Sequence, residues 1–430
     1  MKCSDFSLTN ERGDAITGNF VEITHWPDNS IQWLNVSWST GSSSSSFQLS
    51  KKNTSGLSSP TSGSTPSAPT QHTPYDNGAF LIGSGFSMTV EVELECGKLL
   101  TAKELKSCSR ESDDRGTQHL SGILTEDGSA NDLELRAQSL RIGDDGLHRW
   151  TLAIRNPRAA SHPGGIWELG DANSACIKRA TVHFKPLDPP AKDSEKTLHR
   201  RLKLSTADEW QPITGNQMQL NQLASGSSNA PLQIHRDKSG TTHKPIQGFQ
   251  LIIDGKTTEG QRAEPSVMIM RERGTSLGVH VPHFWQKFPQ SLSLCTSGDL
   301  CCEFLSSSFG RPHEVLPGEQ VSCDFLIATG APHDVQKNLE DYARPNTATV
   351  APDWIASTKV IPWLTARNQK SSLPYLDLVD QAITGNNSFH EKRESIDQYG
   401  WRHFGDVWGD HEAIHSTPDD PLVSHYNNQY

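Results

Sequence analysis

The densest concentration of chemically capable side chains is Tyr399-Gly-Trp-Arg-His-Phe-Gly-Asp-Val-Trp-Gly-Asp-His-Glu412, followed closely by His425-Tyr-Asn-Asn-Gln-Tyr430. Tyr399, Trp401 and Trp408 offer aromatic platforms for the apolar faces of sugars. Asn427 and Asn428 offer amides for hydroxyls, and Arg402 a planar fork suited to a carboxylate. His411 and His425 carry imidazoles that titrate near neutrality, as a general base requires. Tyr426 and Tyr399 carry phenols able to act as an acid. A second reading stays open, because Trp401, Phe404 and Trp408 share one helical face and suit a core stripe equally well. Another polar cluster, Arg155-Asn-Pro-Arg-Ala-Ala-Ser-His162 and onward to Asp171, follows a strand directly. Loops on rigid sheets often carry binding groups, which marks Arg155, Arg158 and His162; an ordinary connecting loop is the alternative.

His411-Glu412-Ala413-Ile414-His415 matches HExxH, which on a helix would set two imidazoles on one face for zinc. Pro418 and Pro421 interrupt any continuation of that helix, and no third ligand follows. No metal is therefore expected there. No GxSxG, P-loop or GxGxxG pattern occurs, so no cofactor is expected, and acyl-transfer and nucleotide chemistry have no motif support.

These groups need a scaffold. A chain of 430 residues exceeds the size at which single cores stop growing, so several domains are expected. The formal charge of −11 argues against nucleic-acid or anionic-membrane partners, which need a basic surface. No apolar run is long enough to span a membrane, and the N-terminus has no apolar signal segment. The eight cysteines include no CxxC pair. Cys295 and Cys302 flank a turn and suit either a disulfide or buried free thiols. Sequons at Asn35, Asn53 and Asn386 point to an extracellular, secreted protein.

Short strands are predicted over 6–8, 20–24 and 31–38. The Ser/Thr/Pro/Gly-rich stretch 40–77 reads as a disordered loop or linker, because it lacks the apolar residues to offset ordering entropy. Met88 to Cys96 alternates strictly, which predicts a strand with one buried face. Leu133–Ile142, the Asp144-Asp145-Gly146 turn and His148–Ile154 predict a hairpin. Further strands are expected at 180–184, 249–253, 267–270 and 323–328, together making an antiparallel sandwich. After Gly330 the period changes. Val335, Leu339 and Tyr342 predict one helix, and Leu376, Val379 and Ile383 another. The fold class is mainly β with a C-terminal α part.

The chain also resembles the exo-rhamnogalacturonan lyases of polysaccharide lyase family 26. The resemblance rests on WPDNSIQWL (26–34), RIGDDGLHRWTLAIRNPRAASHPGGIWELGD (141–171), EGQRAEP (259–265), FWQKFPQSL (284–292), HEVLPGEQ (313–320), YGWRHFGDVWGDHE (399–412) and HYNNQY (425–430). It implies a RIFT-type β-barrel over 1–85, a central β-sandwich over 86–334, and the beginning of an α/α toroid over 335–430. The toroid would be incomplete, so the chain is expected to be C-terminally truncated. The implied substrate is rhamnogalacturonan, cleaved by β-elimination beside a galacturonate. That reaction needs a neutraliser for the carboxylate, a base for the C5 proton and an acid for the leaving oxygen. Chemistry assigns Arg402 as neutraliser, His411 or His425 as base, and Tyr426 or Tyr399 as acid. Hydrolysis by two carboxylates among Asp406, Asp410 and Glu412, or sugar binding without catalysis, are the competing readings.

Overall fold

A computed structural model describes residues 5–16, 18–38, 47–51, 75–76, 78–83, 85–108, 117–126, 132–142, 146–161, 172–187, 198–215, 217–226, 248–271, 275–294, 299–344, 349–364, 373–385, 388–395 and 399–402. At the N-terminus, β1 (Phe6–Asn10), β2 (Ala15–Ile16) and β5 (Phe47–Lys51) form a three-stranded sheet ordered β2-β1-β5, while β3 (Gly18–His25) and β4 (Ile31–Trp38) form a hairpin. Of the barrel expected over 1–85, the described residues show these two sheets. One expectation is corrected here. Residues 47–51 lie within the stretch read as a loop, yet they pair with β1 along their whole length. The Phe47 ring also meets Trp38 at 5.2 Å. Alternation in Phe47-Gln-Leu-Ser was masked by the polar residues on either side.

The central region is a two-layered antiparallel sandwich. Its strands are β6 (Tyr75–Asp76), β7 (Ala79–Ile82), β8 (Phe86–Leu94), β9 (Leu99–Ser107), β10 (Thr117–Thr125), β11 (Leu133–Ile142), β12 (Leu147–Arg155) and β13 (Ala175–Pro186). They continue with β14 (Leu198–Lys203), β15 (Gln211–Pro212), β16 (Met218–Gln222), β17 (Phe249–Ile253), β18 (Lys256–Gly260) and β19 (Ser266–Arg271). β20 (Ser276–His280), β21 (Gln290–Leu294), β22 (Leu300–Leu305), β23 (His313–Val315) and β24 (Gln320–Gly330) complete the set.

One layer runs β18-β17-β16-β21-β22-β13-β8, with β23 continuing beside β13. The other runs β10-β11-β12-β24-β20-β19-β14-β15. β9 pairs with both β8 and β10 and so joins the layers, with a register shift between Gly122 and Leu124. β7 pairs with β8 and β6 with β7, so both short strands belong to the sandwich.

Period-2 alternation builds the core. Met88, Val90 and Val92 of β8 and Val321, Cys323, Phe325 and Ile327 of β24 are almost fully buried. Ring contacts bridge the layers at Phe184–Phe325, 5.4 Å apart, and Phe80–Trp150, 5.3 Å apart. Cys302 and Cys323 are buried free thiols within this core, so the free-thiol alternative holds for Cys302.

Helices follow: α1 (Pro332–Tyr342), α2 (Pro352–Thr358), α3 (Leu373–Thr384) and α4 (Phe389–Ser395). α1 opens on a proline, whose fixed φ suits a first helical turn. Its Val335 and Leu339 bury against Leu147, Met268, Leu326 and Ala328, on the face of the second layer opposite the core. Gly278 permits that approach, because a Cβ there would lie 2.6 Å from Val335 Cγ1 and 2.7 Å from Leu339 Cδ1. No helix among the described residues is long and apolar enough to cross a membrane.

Candidate functional site

The construction starts at the end of β12. Asn156 is fully buried, and its carboxamide donates to the carbonyls of Asn173 and Val315 at 2.9 and 3.1 Å. Its Oδ1 accepts from Arg158 N and Nε at 3.3 and 2.9 Å. On the main chain, Asn156 N donates to Glu319 O and Gly318 N donates to Asn156 O. Asn156 therefore ties the Arg-Asn-Pro-Arg loop to the end of β23 by its side chain and to the turn between β23 and β24 by its main chain. Glu319 closes that turn by accepting from Leu316 N at 2.6 Å. Burial pushes the Glu319 carboxyl above its ordinary range, against the opposing pull of the Leu316 amide and the Arg402 guanidinium.

Residues 399–402 lie on the loop between β20 and β21. Gly400 N donates to Gln286 O at 2.7 Å and Trp401 N to Phe288 O at 3.0 Å. Trp401 packs against the sandwich core and meets the His313 ring edge-on at 6.0 Å. Arg402 lies over the Trp401 ring at 4.8 Å and donates from Nη2 to Glu314 O. The sequence left open whether Trp401 is core or platform. It is a partly buried residue packed against the core, with the Arg402 guanidinium over its ring. His313 is buried, and burial drives its pKa down to about 4, so the imidazole is neutral and donates to Ser306 O.

A cation–aromatic nest surrounds Tyr399. Its ring meets Trp285 at 4.8 Å, with the Arg393 guanidinium 4.7 Å away. Arg262 lies 3.9 Å over Trp285 and 5.7 Å from Tyr399. Arg262 also pairs with Glu394 at 2.6 Å and donates from Nε to Ser225 O. Tyr399 donates its phenolic proton to the same Glu394 at 2.8 Å. Burial, with the Glu394 hydrogen bond and charge, pushes the phenol up to about 12, so it is protonated at neutral pH. The loop carrying Arg262 is set by buried Gln222, which donates to Ala224 O and Gln261 O and accepts from Ala263 N.

Of the sequence-selected residues, Tyr399, Trp401 and Arg402 sit together, while Arg158 is tied through Asn156 to Val315, the residue after the Glu314 whose carbonyl receives Arg402. Arg155 lies on β12 just before Asn156 and pairs with Glu134 at 3.1 Å. His162, Trp408, His411, His425, Tyr426, Asn427 and Asn428 lie outside the described residues, as do Asp406, Asp410, Glu412 and His415. Asn156, Arg262, Trp285, His313, Glu319 and Glu394 were not selected, although all but Glu394 fall within the motif stretches quoted for the resemblance. Those stretches are far apart in the chain, and the structure brings them together. Among the described residues, no group of three His, Cys, Asp or Glu side chains is arranged to hold a metal.

No family model matches the chain, and no curated protein matches it. Among solved structures, an alpha-galactosidase from Lactobacillus brevis is 9% identical over 58% of this chain and 30% of its own, with a TM-score of 0.33. A GH36 alpha-galactosidase from Geobacillus stearothermophilus, in complex with 1-deoxygalactonojirimycin, is 11% identical over 58% and 31%, with a TM-score of 0.33. The Slr1438 protein from Synechocystis is 11% identical over 57% and 78%, with a TM-score of 0.29. The matched part thus spans less than a third of either galactosidase chain, and likenesses this slight leave the site to be read from its own geometry.

Proposed function

We propose that this chain belongs to a sugar-processing protein that cleaves rhamnogalacturonan by β-elimination beside a galacturonate. The observation carrying the reading is the grouping of Arg262 with Tyr399, and of Arg402 with Trp401 and the Glu314 carbonyl, which joins three of the motif stretches quoted above. Elimination develops negative charge on the uronate carboxylate as the C5 proton leaves, and a fixed guanidinium stabilises that charge without reorganising. Arg402 takes this part, held by Trp401 and the Glu314 carbonyl. Tyr399 is a phenol kept protonated at neutral pH, which excludes it as base; to act as acid it must exchange its hydrogen bond to Glu394 for one to the departing oxygen. His411 or His425 is assigned as base on the chemistry of imidazole, and Tyr426 as the alternative acid. Trp401 and Trp408, with Asn427, Asn428 and His162, are assigned to sugar positioning. A polymeric plant-wall substrate places the activity outside the cell.

The test is formation of C4–C5 unsaturated uronate, read by its ultraviolet absorbance. Arg402→Ala is expected to lower kcat by about 10²–10³ while changing KM less. Arg402→Lys is not expected to restore it, because an ammonium lacks the planar fork. Turnover within a few-fold of wild type, with a lowered unfolding midpoint, would make Arg402 structural. Cleavage without the unsaturated product would replace elimination by hydrolysis.

A further inference from the structure

The face of the first layer opposite the core carries a thiol, an imidazole and a carboxylate in sequence across three strands, and none of them belongs to the site above. Alternation sets them there. Val182 and Phe184 of β13 and Cys302 of β22 enter the core, so Thr181, His183, Cys301 and Glu303 face outward. Register does the rest. His183 stands directly opposite Cys301, and Thr181 lies between Glu91 of β8 and Glu303 of β22. Cys301 Sγ is 3.2 Å from His183 Nδ1, and His183 Nε2 is 3.8 Å from Glu91 Oε1. Cys301 is partly exposed and outside any disulfide, so a small molecule can reach it.

The order thiol, imidazole, carboxylate is that of a nucleophile, its base and the group that orients the base. The thiol donates to Nδ1, which leaves the imidazole proton on Nε2, facing Glu91. Burial holds the His183 imidazole below its ordinary value against the pull of Glu91, so it is neutral at neutral pH and able to take the thiol proton. Lys185, Arg179 and Asp299 are the other charges acting on it. Arg179 lies 3.5 Å from Glu91, 2.7 Å from Glu93 and 4.0 Å from Glu303, and so offsets the carboxylates of this face. His183 Nε2 and Thr181 Oγ1 are both buried without a hydrogen-bond partner among the described residues, and Thr181 is only 2% exposed. Unpaired polar atoms cost free energy, and their place beside a thiol suits a reaction site better than a structural joint. Cys302, one residue on, supplies the contrast: it lies in the core, and burial pushes its thiol up, out of reach of ionisation at neutral pH. β22 is paired on both sides, with β13 and β21, so its amides are committed to the ladders and offer no oxyanion hole for acyl transfer. Thiol–disulfide exchange needs none.

We propose that Cys301 is a nucleophilic thiol, with His183 as its base and Glu91 steadying the imidazolium, and that small disulfides modify it. Cys301 Sγ gives its proton to His183 Nδ1 and attacks one sulfur of the disulfide. A new S–S bond forms, the old one breaks, and the departing thiolate takes the proton from the imidazolium. Cys301 is thereby oxidised and the departing half reduced. The proposal stands apart from the elimination reading, since none of the three residues belongs to that site. The full chain is treated with bis(2-hydroxyethyl) disulfide, an uncharged probe, and the adduct at each cysteine is timed by peptide mass spectrometry after acid quenching. Cys301 is expected to react about tenfold faster than Cys96, although Cys96 is the more exposed. Between about pH 8 and pH 6.5 the Cys301 rate should change by less than about threefold, while that of Cys96 falls roughly tenfold or more with its thiolate fraction. His183→Gln should bring Cys301 down to the rate and pH dependence of Cys96. Glu91→Gln should slow Cys301 about threefold and leave Cys96 unchanged. A Cys301 rate no greater than that of Cys96, a pH profile as steep as that of Cys96, or a folded His183→Gln or Glu91→Gln variant that reacts like wild type overturns the proposal. The first two are read on the wild-type chain, so the test decides even where a variant fails to fold.

Discussion

Replacing Asn156 tests the joint between scaffold and site. Asn156→Ala removes four side-chain hydrogen bonds at once: two donated, to Asn173 O and Val315 O, and two accepted, from Arg158 N and Nε. The bond to Val315 O is fully buried, and leaving such an acceptor unsatisfied costs about 1–3 kcal/mol. The other three are part-buried, so water replaces much of them, and each adds at most about 0.5–1 kcal/mol. The expected loss is about 2–4 kcal/mol. For a unit of this size that lowers the thermal midpoint by roughly 4–16 °C. Asn156→Asp separates the two halves of the role. It keeps an acceptor for Arg158 but sets a carboxylate oxygen against two carbonyls, so it should destabilise by a comparable amount. Denaturant titration, with the slope compared between variants, supplies the free energies. Because Asn156 holds the turn whose hairpin receives Arg402, both variants should also lower turnover. An Ala variant within about 0.5 kcal/mol of wild type, or an Asp variant of wild-type stability, would refute the locking role.

Two further outcomes follow from the sandwich itself. Burial would raise the Asp324 carboxyl, but the Lys287 ammonium at 3.1 Å and the Thr151 hydroxyl at 2.7 Å outweigh it and hold the group below its ordinary value. A depressed carboxylate contributes stability above its unfolded pKa and loses it as pH falls through the folded one. Asp324→Asn should therefore lose stability at neutral pH and show a flatter acid limb in urea midpoints measured from neutral pH downward. An unchanged acid limb would show that the ion pair is inert. Gly278→Ala forces a Cβ into Val335 and Leu339 and should cost about 1–3 kcal/mol, or release α1 from the sheet, which hydrogen exchange on α1 would detect. A variant of wild-type stability and protection would mean that the helix shifts freely.

Local pattern was enough for the elements of the sandwich. Strict alternation in Met88–Leu94 forms β8, because burial of one face follows directly from a period of two. β11 and β12 pair as the hairpin expected from the sequence, with Gly146 before β12 at a φ of 69°, a conformation that suits glycine. The period of Val335 and Leu339 likewise identifies α1, and it is these residues that meet the sheet. A strand such as Phe47–Lys51 escaped, because five residues inside a polar stretch carry too little periodicity to stand out, and its partner β1 lies far back in the chain.

For the site, the sequence by itself determined which residue types were available: a guanidinium, phenols, imidazoles and indoles grouped by kind. Arg402 and Tyr399 were legible as candidates for that reason. Their partners were not. The ion pair of Arg262 with Glu394 and the hydrogen bond of Arg402 to the Glu314 carbonyl join residues separated by long stretches of chain. The register of β13 against β23 fixes where the Glu314 carbonyl stands, and the bonds of Gln222 fix the loop that carries Arg262. The same holds for protonation. No pattern of letters keeps His313 neutral or Tyr399 protonated; burial and neighbouring charge do, and both come from tertiary packing.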